Sequence, residues 1–170
     1  MFTLKIKMNL EPLSKLRRAW ISGLSGGSGA MRDALEKASG IYMQSMYERF
    51  NRYSSGGGDW TPLKPSTISR KGHDAILIDT YTLRNALDPR SMVSSGLVSA
   101  GRSGYRIGIQ DGIPHPRSKL SVSQLASVHQ QGLGRVPARA IIVEPSWTTK
   151  HKMAKAMEVG LKQVLRETVE

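Results

Sequence analysis

The chain has no cysteine. That single absence excludes a disulfide-stapled scaffold, a thiolate zinc site and a cysteine nucleophile. Aromatic residues are scarce, 6% of 170 residues, too few for a stacking platform along single strands of nucleic acid. Acidic residues are also few: 13 Asp+Glu stand against 25 Lys+Arg, a formal net charge of +12. No apolar run approaches the ~18–20 residues a membrane helix needs. The opening MFTLKIKMNL lacks the uninterrupted apolar stretch of a signal peptide. The expectation is a soluble chain made in the cytosol, with no membrane partner. Its length suits a single domain, since domains usually hold about 100–150 residues.

The basic surplus favours contact with phosphate or acidic protein surfaces and says nothing about fold. Residues 1–20 carry five basic groups against one acid, and 135–155 carry five (Arg135, Arg139, Lys150, Lys152, Lys155) against Glu144. Segment 101–120 has four against one. No run of five consecutive like charges occurs, so the pattern is that of a folded basic surface and not a polycationic tail.

Along the chain, Phe2, Leu4, Ile6 and Met8 alternate with Thr3, Lys5 and Lys7, the period of an edge strand. Glu11-Pro12 opens a short helix with Leu13, Leu16 and Trp20 at helical spacing. SGLSGGSG (22–29) then reads as a flexible connector. It is no phosphate loop, because no Gly-Lys-Ser/Thr follows. Met31, Leu35, Ala38, Ile41/Tyr42, Met46 and Phe50 recur every three or four residues, which predicts the best helix of the chain over 30–52. Pro62 and Pro65 forbid regular helix before Ser66. One helical turn is expected at 66–72, and another at 79–87 capped by Asp79 or Thr80. The segments 92–100 and 105–110 alternate and predict a hairpin across Gly101–Gly104. Ser121 or Ser123 is expected to cap a helix through Gln131, with Leu125 and Val128 inward. Ala140–Val143 reads as a short buried strand. A closing helix begins near Pro145–Thr148, with Met153, Met157, Leu161 (with Gly160), Val164 and Leu165 inward.

The order β-α-α-coil-β-β-α-β-α has no βαβ rhythm, so the fold class expected is α+β: a small, mostly antiparallel sheet packed by a long helix from the N-terminal half and a C-terminal helix. Residues 1–28 form an extension with its Gly/Ser connector, and 30–170 the core of one domain. The long coils at 53–75 and 111–120 suggest segments that are functional or that order against a partner.

The search for chemistry finds no catalytic constellation and no cofactor. His73, His115, His129 and His151 are scattered, none at the i, i+3 or i+4 spacing of a helix-borne metal site. Asp74 and Asp79 with Lys71 are the nearest approach to a metal-dependent nuclease. The serines lack a G-x-S-x-G frame. The chain is read as not an enzyme. Nucleic-acid modules are equally absent: there is no zinc pattern and no clear recognition helix, so the charge suggests at most backbone contact that is blind to sequence.

Several pieces in order do carry a resemblance. They are Phe50 and a glycine-rich gap, Trp60-Thr61-Pro62-Leu63 with Ser66-Thr67, Arg70-Lys71, and Ile76-Leu77-Ile78 with Thr80 and Leu83-Arg84. Tyr105-Arg106-Ile107-Gly108-Ile109 follows, then Leu125-Ala126, His129-Gln130-Gln131-Gly132 and Val136-Pro137-Ala138-Arg139. This series resembles the virion morphogenesis proteins of tailed phages, also called tail completion or head–tail joining proteins, over roughly residues 45–145. Tyr81 stands where that family commonly has glycine, and Ala140-Ile141 follow Arg139 where Pro-Phe is usual. The resemblance implies a structural protein of the neck or tail top, assembled in the host cytoplasm. It would form a ring, a hexamer favoured over a dodecamer, against connector, stopper or tail-terminator proteins. The candidate docking residues it implies are Trp60, Pro62, Leu63, Thr67, Lys71 and Leu83 in the first half, and His129, Gln130, Gly132, Pro137 and Arg139 in the second. From the residues themselves, Trp60 is either an apolar anchor in a proline-ordered coil or a cap on the core under the long helix. Arg139 is either an ion-pairing group for a neighbour or an ordinary solvated arginine. Arg135, Arg139, Lys150 and Lys152 are the candidates to face DNA in the channel or an acidic neighbouring ring. The alternatives are a sequence-independent nucleic-acid-binding protein and, third, a phage nuclease.

Overall fold

A computed structural model of the chain describes residues 3–6, 29–91, 95–101 and 104–169. Its elements are β1 (Thr3–Ile6), α1 (Gly29–Ser54), α2 (Pro65–Lys71), α3 (Thr82–Asn85), β2 (Ser95–Gly101), β3 (Gly104–Ile109), α4 (Val122–Gln131) and α5 (Trp147–Val169). The short helix expected after Pro12 and the Gly/Ser connector lie outside the described residues.

The expected α+β class is overturned: the described chain is mostly helical. Helices α1 and α5 run to 26 and 23 residues, whereas the strands have 4, 7 and 6. β1 pairs antiparallel with β3, Thr3 opposite Gly108, and β2 flanks the other edge of β3. These short pairings do not form the packing layer that was expected. The physical reason lies in the sequences SGLVSAG and GYRIGI. Glycine and serine leave a strand with little side chain to pack, and Ile107 and Ile109 are the core residues that the described side chains of the strands supply.

The described chain divides into two compact units. One gathers the described residues within 3–43, 96–108 and 144–169. There the first half of α1 buries Met31, Ala34, Leu35, Ala38 and Tyr42, and α5 buries Met153, Met157 and Val164. Gly160 marks a close approach of these helices: a Cβ there would lie 2.3 Å from the Ala34 Cβ and 2.9 Å from the Ala30 carbonyl oxygen. Ser146 caps α5 by accepting from the Thr149 N–H at 3.2 Å. Leu161 and Leu165, expected inward, are only half-buried.

The second unit takes the described residues within 44–95 and 109–143. The apolar stripe of α1 continues here through Met46, Tyr47 and Phe50. Helix α3 presents buried Leu83, and the Arg84 Nε donates to the Asn51 side chain at 2.7 Å. This helix is shorter than the 79–87 expected, and neither Asp79 nor Thr80 caps it; Tyr81 holds the cap position in the left-handed region. α4 begins as expected at Ser121, whose hydroxyl accepts from the Gln124 N–H while the Gln124 side chain accepts from the Ser121 N–H, a reciprocal cap. Its buried residues are Val122, Ser123 and Ala126; Leu125 and Val128 are only half-buried.

The strand expected at Ala140–Val143 is absent; the segment is extended coil. Its backbone finds a side chain where a strand would find a neighbour. The Gln130 carboxamide accepts from the Ile141 and Ile142 N–H groups at 2.6 and 3.0 Å and donates to the Ile142 carbonyl at 2.8 Å.

Candidate functional site

The site is built from the coil that follows α1. Trp60 is 5% exposed and meets Phe50 and Tyr53 edge-on, with ring centroids 5.5 and 5.4 Å apart. Its indole N–H donates to the Ala140 carbonyl at 3.3 Å, and the Arg49 guanidinium donates to that same oxygen. Trp60 is therefore a core residue of its own chain, the second of its two sequence readings. Held this way, it projects Pro62 and Leu63 into a cleft of about 970 Å³. Pro65 then starts α2 at a position where its missing N–H is harmless, and the helix carries Thr67, Arg70 and Lys71 along the cleft.

The opposite wall comes from the end of α4 and the turn beyond it. Gly132 sits at φ +69, and a Cβ there would approach the Ala138 nitrogen to 2.7 Å, so only glycine fits the turn. The Arg139 N–H donates to the His129 carbonyl at 2.6 Å. The Arg139 side chain, also 5% exposed, gives Nε and Nη2 to the Thr61 carbonyl at 3.2 and 2.8 Å. Arg139 thus ties the Trp60 coil to the second wall, its guanidinium held by a carbonyl instead of a carboxylate. Burial lowers its pKa, though a guanidinium stays charged across the physiological range.

The third wall is the segment from Leu77 to Leu83. Leu77 and Tyr81 both stand in the left-handed region, at φ 59 and 58, where side chains other than glycine are strained. Between them, the Thr80 hydroxyl lies 2.8 Å from the Thr82 hydroxyl and 3.1 Å from His115 Nε2. His115 Nδ1 accepts from the Arg117 N–H at 3.2 Å, which places the imidazole proton on Nε2 and makes Thr80 its acceptor. Arg117 itself pairs with Asp79 at 3.3 Å.

The electrostatics are one-sided. Lys64, Arg70, Lys71, Arg117, Arg135 and Arg139 line the cleft, and Asp79 is its one carboxylate among the described residues. Lys71 donates to the Ala75 carbonyl at 2.7 Å, and its pKa is lowered mainly by burial, with Asp79 pulling the other way. His129 also has a lowered pKa, first from burial and then from the Arg139 charge, and its Nδ1 is buried without a hydrogen-bond partner. Among the described residues no three His, Asp or Glu side chains converge as metal ligands, and no described helix is long and apolar enough to cross a membrane.

Of the docking residues implied by the resemblance, Pro62, Leu63, Thr67, Lys71, Leu83, His129, Pro137 and Arg139 meet at this cleft together with Arg135. Trp60, Gln130 and Gly132 act behind it as anchor, clamp and turn. Lys150 and Lys152 belong to the other unit, exposed on α5, where Lys150 pairs with Glu144. The sequence reading did not place Lys64, His115 or Arg117 here. For Arg117 the only signal was the basic surplus of 101–120, which carries no indication of what it faces, and Lys64 and His115 had none. Compared with protein-family models, curated proteins and solved structures, the chain finds no significant match.

Proposed function

We propose that this protein is a structural, non-enzymatic component of a tailed-phage neck or tail top, which assembles as a ring to complete the tail or join it to the head. The observation that supports this reading is the convergence of the motif pieces. Segments at 60–67, 80–84, 129–132 and 136–139, far apart in sequence and resembling the family piece by piece, surround one cleft. The ring is most simply a hexamer, with connector, stopper or tail-terminator proteins as its neighbours. The test is genetic and compositional. Deleting the gene should leave filled heads and tails unjoined, or tails unfinished, by electron microscopy, and mass spectrometry of purified particles should detect the chain. Normal infectious particles from the deletion strain overturn the reading.

One observation favours a second reading, sequence-independent nucleic-acid binding. Trp147 is 78% exposed and stacks on His151 with centroids 5.5 Å apart and rings 14° from parallel. Exposed Lys150, Lys152 and Lys155 stand beside this pair on α5, and stacking plus phosphate contact is how sequence-blind binders hold a strand. Affinity of the pure protein for a duplex and a single-stranded oligonucleotide, with a steep salt slope and loss in Trp147→Ala, supports this reading. Absence of binding at low salt removes it.

A further inference from the structure

We propose that the cleft walled by Leu63, α2, the Leu77–Leu83 segment and the end of α4 receives an extended, acidic peptide segment bearing aliphatic side chains, contributed by a neighbouring protein of different sequence. This deepens the ring reading and rests on it only for where the neighbour is found; the binding itself depends on this chain alone.

Three observations carry it. First, the lining sets buried or half-buried aliphatic side chains beside exposed cations, together with exposed Pro62, Tyr81 and Pro137 and the deeper Lys71 and Arg139. Leu83 is buried and Leu63, Leu77, Leu125 and Val136 are half-buried, while Lys64, Arg70, Arg117 and Arg135 are exposed. An apolar interior under a cationic rim matches a strand whose alternate side chains point to opposite sides, aliphatic groups inward and carboxylates outward. Second, the rim charge is not internally neutralised. Asp79 pairs with Arg117, and among the described residues no carboxylate forms an ion pair with Lys64, Arg70 or Arg135. Third, the wall holds two non-glycine residues, Leu77 and Tyr81, at positive φ, and such outliers collect at ligand clamps, where the surroundings impose them.

The chemistry also sorts the candidate occupants. A nucleic-acid strand would want flat aromatic faces to stack on, and among the described residues Tyr81 is the one Phe, Tyr or Trp lining the cleft, beside the half-buried His115 and His129. A free small anion would leave the apolar interior unused. A second copy of this chain is a poor source of an acidic segment, since 25 basic residues outnumber 13 acidic ones. The volume of about 970 Å³ is at the upper end of the range for ligand pockets, about 300–1,000 Å³.

The test uses the full chain and fluorescence polarisation. The probe is a labelled peptide of about ten residues alternating aspartate with leucine, extended to ~33 Å. Its controls are the same peptide with lysine for aspartate, an all-glutamate peptide, a single-stranded oligothymidylate and inorganic phosphate. Saturable binding of the acidic–aliphatic peptide is expected, at least about tenfold tighter than the all-glutamate peptide, and lost for the lysine version. Lys64→Glu with Arg70→Glu, both exposed, should weaken it by about tenfold or more, and Leu63→Ser should weaken it without changing its salt dependence. Lys152→Glu with Lys155→Glu, an equal charge change in the other unit, should leave it intact. Equal binding of the peptide by wild type and the Lys64/Arg70 variant overturns the proposal. So does tighter binding of oligothymidylate, or displacement of the peptide by phosphate alone. Peptide binding by a protein that is missing from virions would retain the cleft assignment and sink the ring reading, so the two failures are told apart.

Discussion

Gln130 offers the sharpest test of how the second wall is held. Its carboxamide stands in for a strand partner, taking the Ile141 and Ile142 N–H groups and giving an N–H to the Ile142 carbonyl. Gln130→Ala removes all three bonds and leaves three backbone groups to find water. A typical bond contributes about 1 kcal/mol net, and a buried group left unpaired costs about 1–3 kcal/mol. Ile141 is 1% exposed while Ile142 is half-buried, so the Ile141 N–H carries the full penalty and water relieves part of the remainder. The expected loss is about 2–4 kcal/mol. Gln130→Glu keeps both acceptances but sets a carboxylate oxygen against the Ile142 carbonyl, so it should fall between Ala and wild type.

Because the chain forms two compact units, a single global unfolding curve is not assured to be two-state. Amide hydrogen exchange reads the effect locally. The Ile141 and Ile142 amides should lose protection in Gln130→Ala by a factor that matches the loss in urea stability, and retain most of it in Gln130→Glu. If Gln130→Ala leaves both amides and the urea midpoint within error of wild type, the clamp has no energetic role. The inference from geometry to stability then fails.

Gly160→Ala should destabilise by about 1–3 kcal/mol despite its better helix propensity, because the new Cβ meets Ala34 and the Ala30 carbonyl; a higher melting temperature refutes the close crossing. His129 has a folded pKa below its ordinary 6.5. The unfolded chain therefore binds its proton more readily, and stability should be complete above about 6.5 and fall as pH drops below it. His129→Gln should flatten that limb in urea titrations, and an unchanged pH profile refutes the assignment. Lys150→Glu with Lys152→Glu should reduce the yield of joined heads and tails if α5 meets DNA or an acidic ring; normal infectivity removes those lysines from assembly.

What the sequence made legible was whatever side chains do along one element. The stripe Met31–Phe50 predicts α1 because a helix repeats its buried positions by geometry alone, and all of it but Ile41, which is half-buried, lies in the core. Ser121 was readable as a cap because its partner is three residues away. What failed was whatever depends on distant backbone. The segment 140–143 read as a buried strand, yet its hydrogen bonds go to Gln130, Arg49 and Trp60, and no periodicity encodes that. Trp60 and Arg139, read as possible docking groups, are turned inward because each satisfies a carbonyl of the other's segment: Trp60 that of Ala140, Arg139 that of Thr61. Neither bond is visible in the spacing of either segment, because its partner lies about eighty residues away.

Tyr81 joins that structural logic to the proposed ligand. At φ 58 it holds a conformation costing a residue with a Cβ about 1–2 kcal/mol, and at 56% exposure its ring recovers little by burial. Tyr81→Gly relieves the strain but raises the entropy of the unfolded chain by about 0.5–1 kcal/mol. The balance is a fold unchanged or more stable by up to about 1 kcal/mol. Binding should move the other way. The aromatic side chain lines the cleft, and glycine there frees the wall to leave the conformation that the tyrosine is held in. Binding of the acidic–aliphatic peptide should therefore weaken severalfold while the urea midpoint holds or rises. A structural role alone moves both readouts together. If Tyr81→Gly lowers stability, the left-handed backbone at this position is wrong. If it leaves peptide affinity untouched while stability holds, the strained wall has no part in the cleft's recognition.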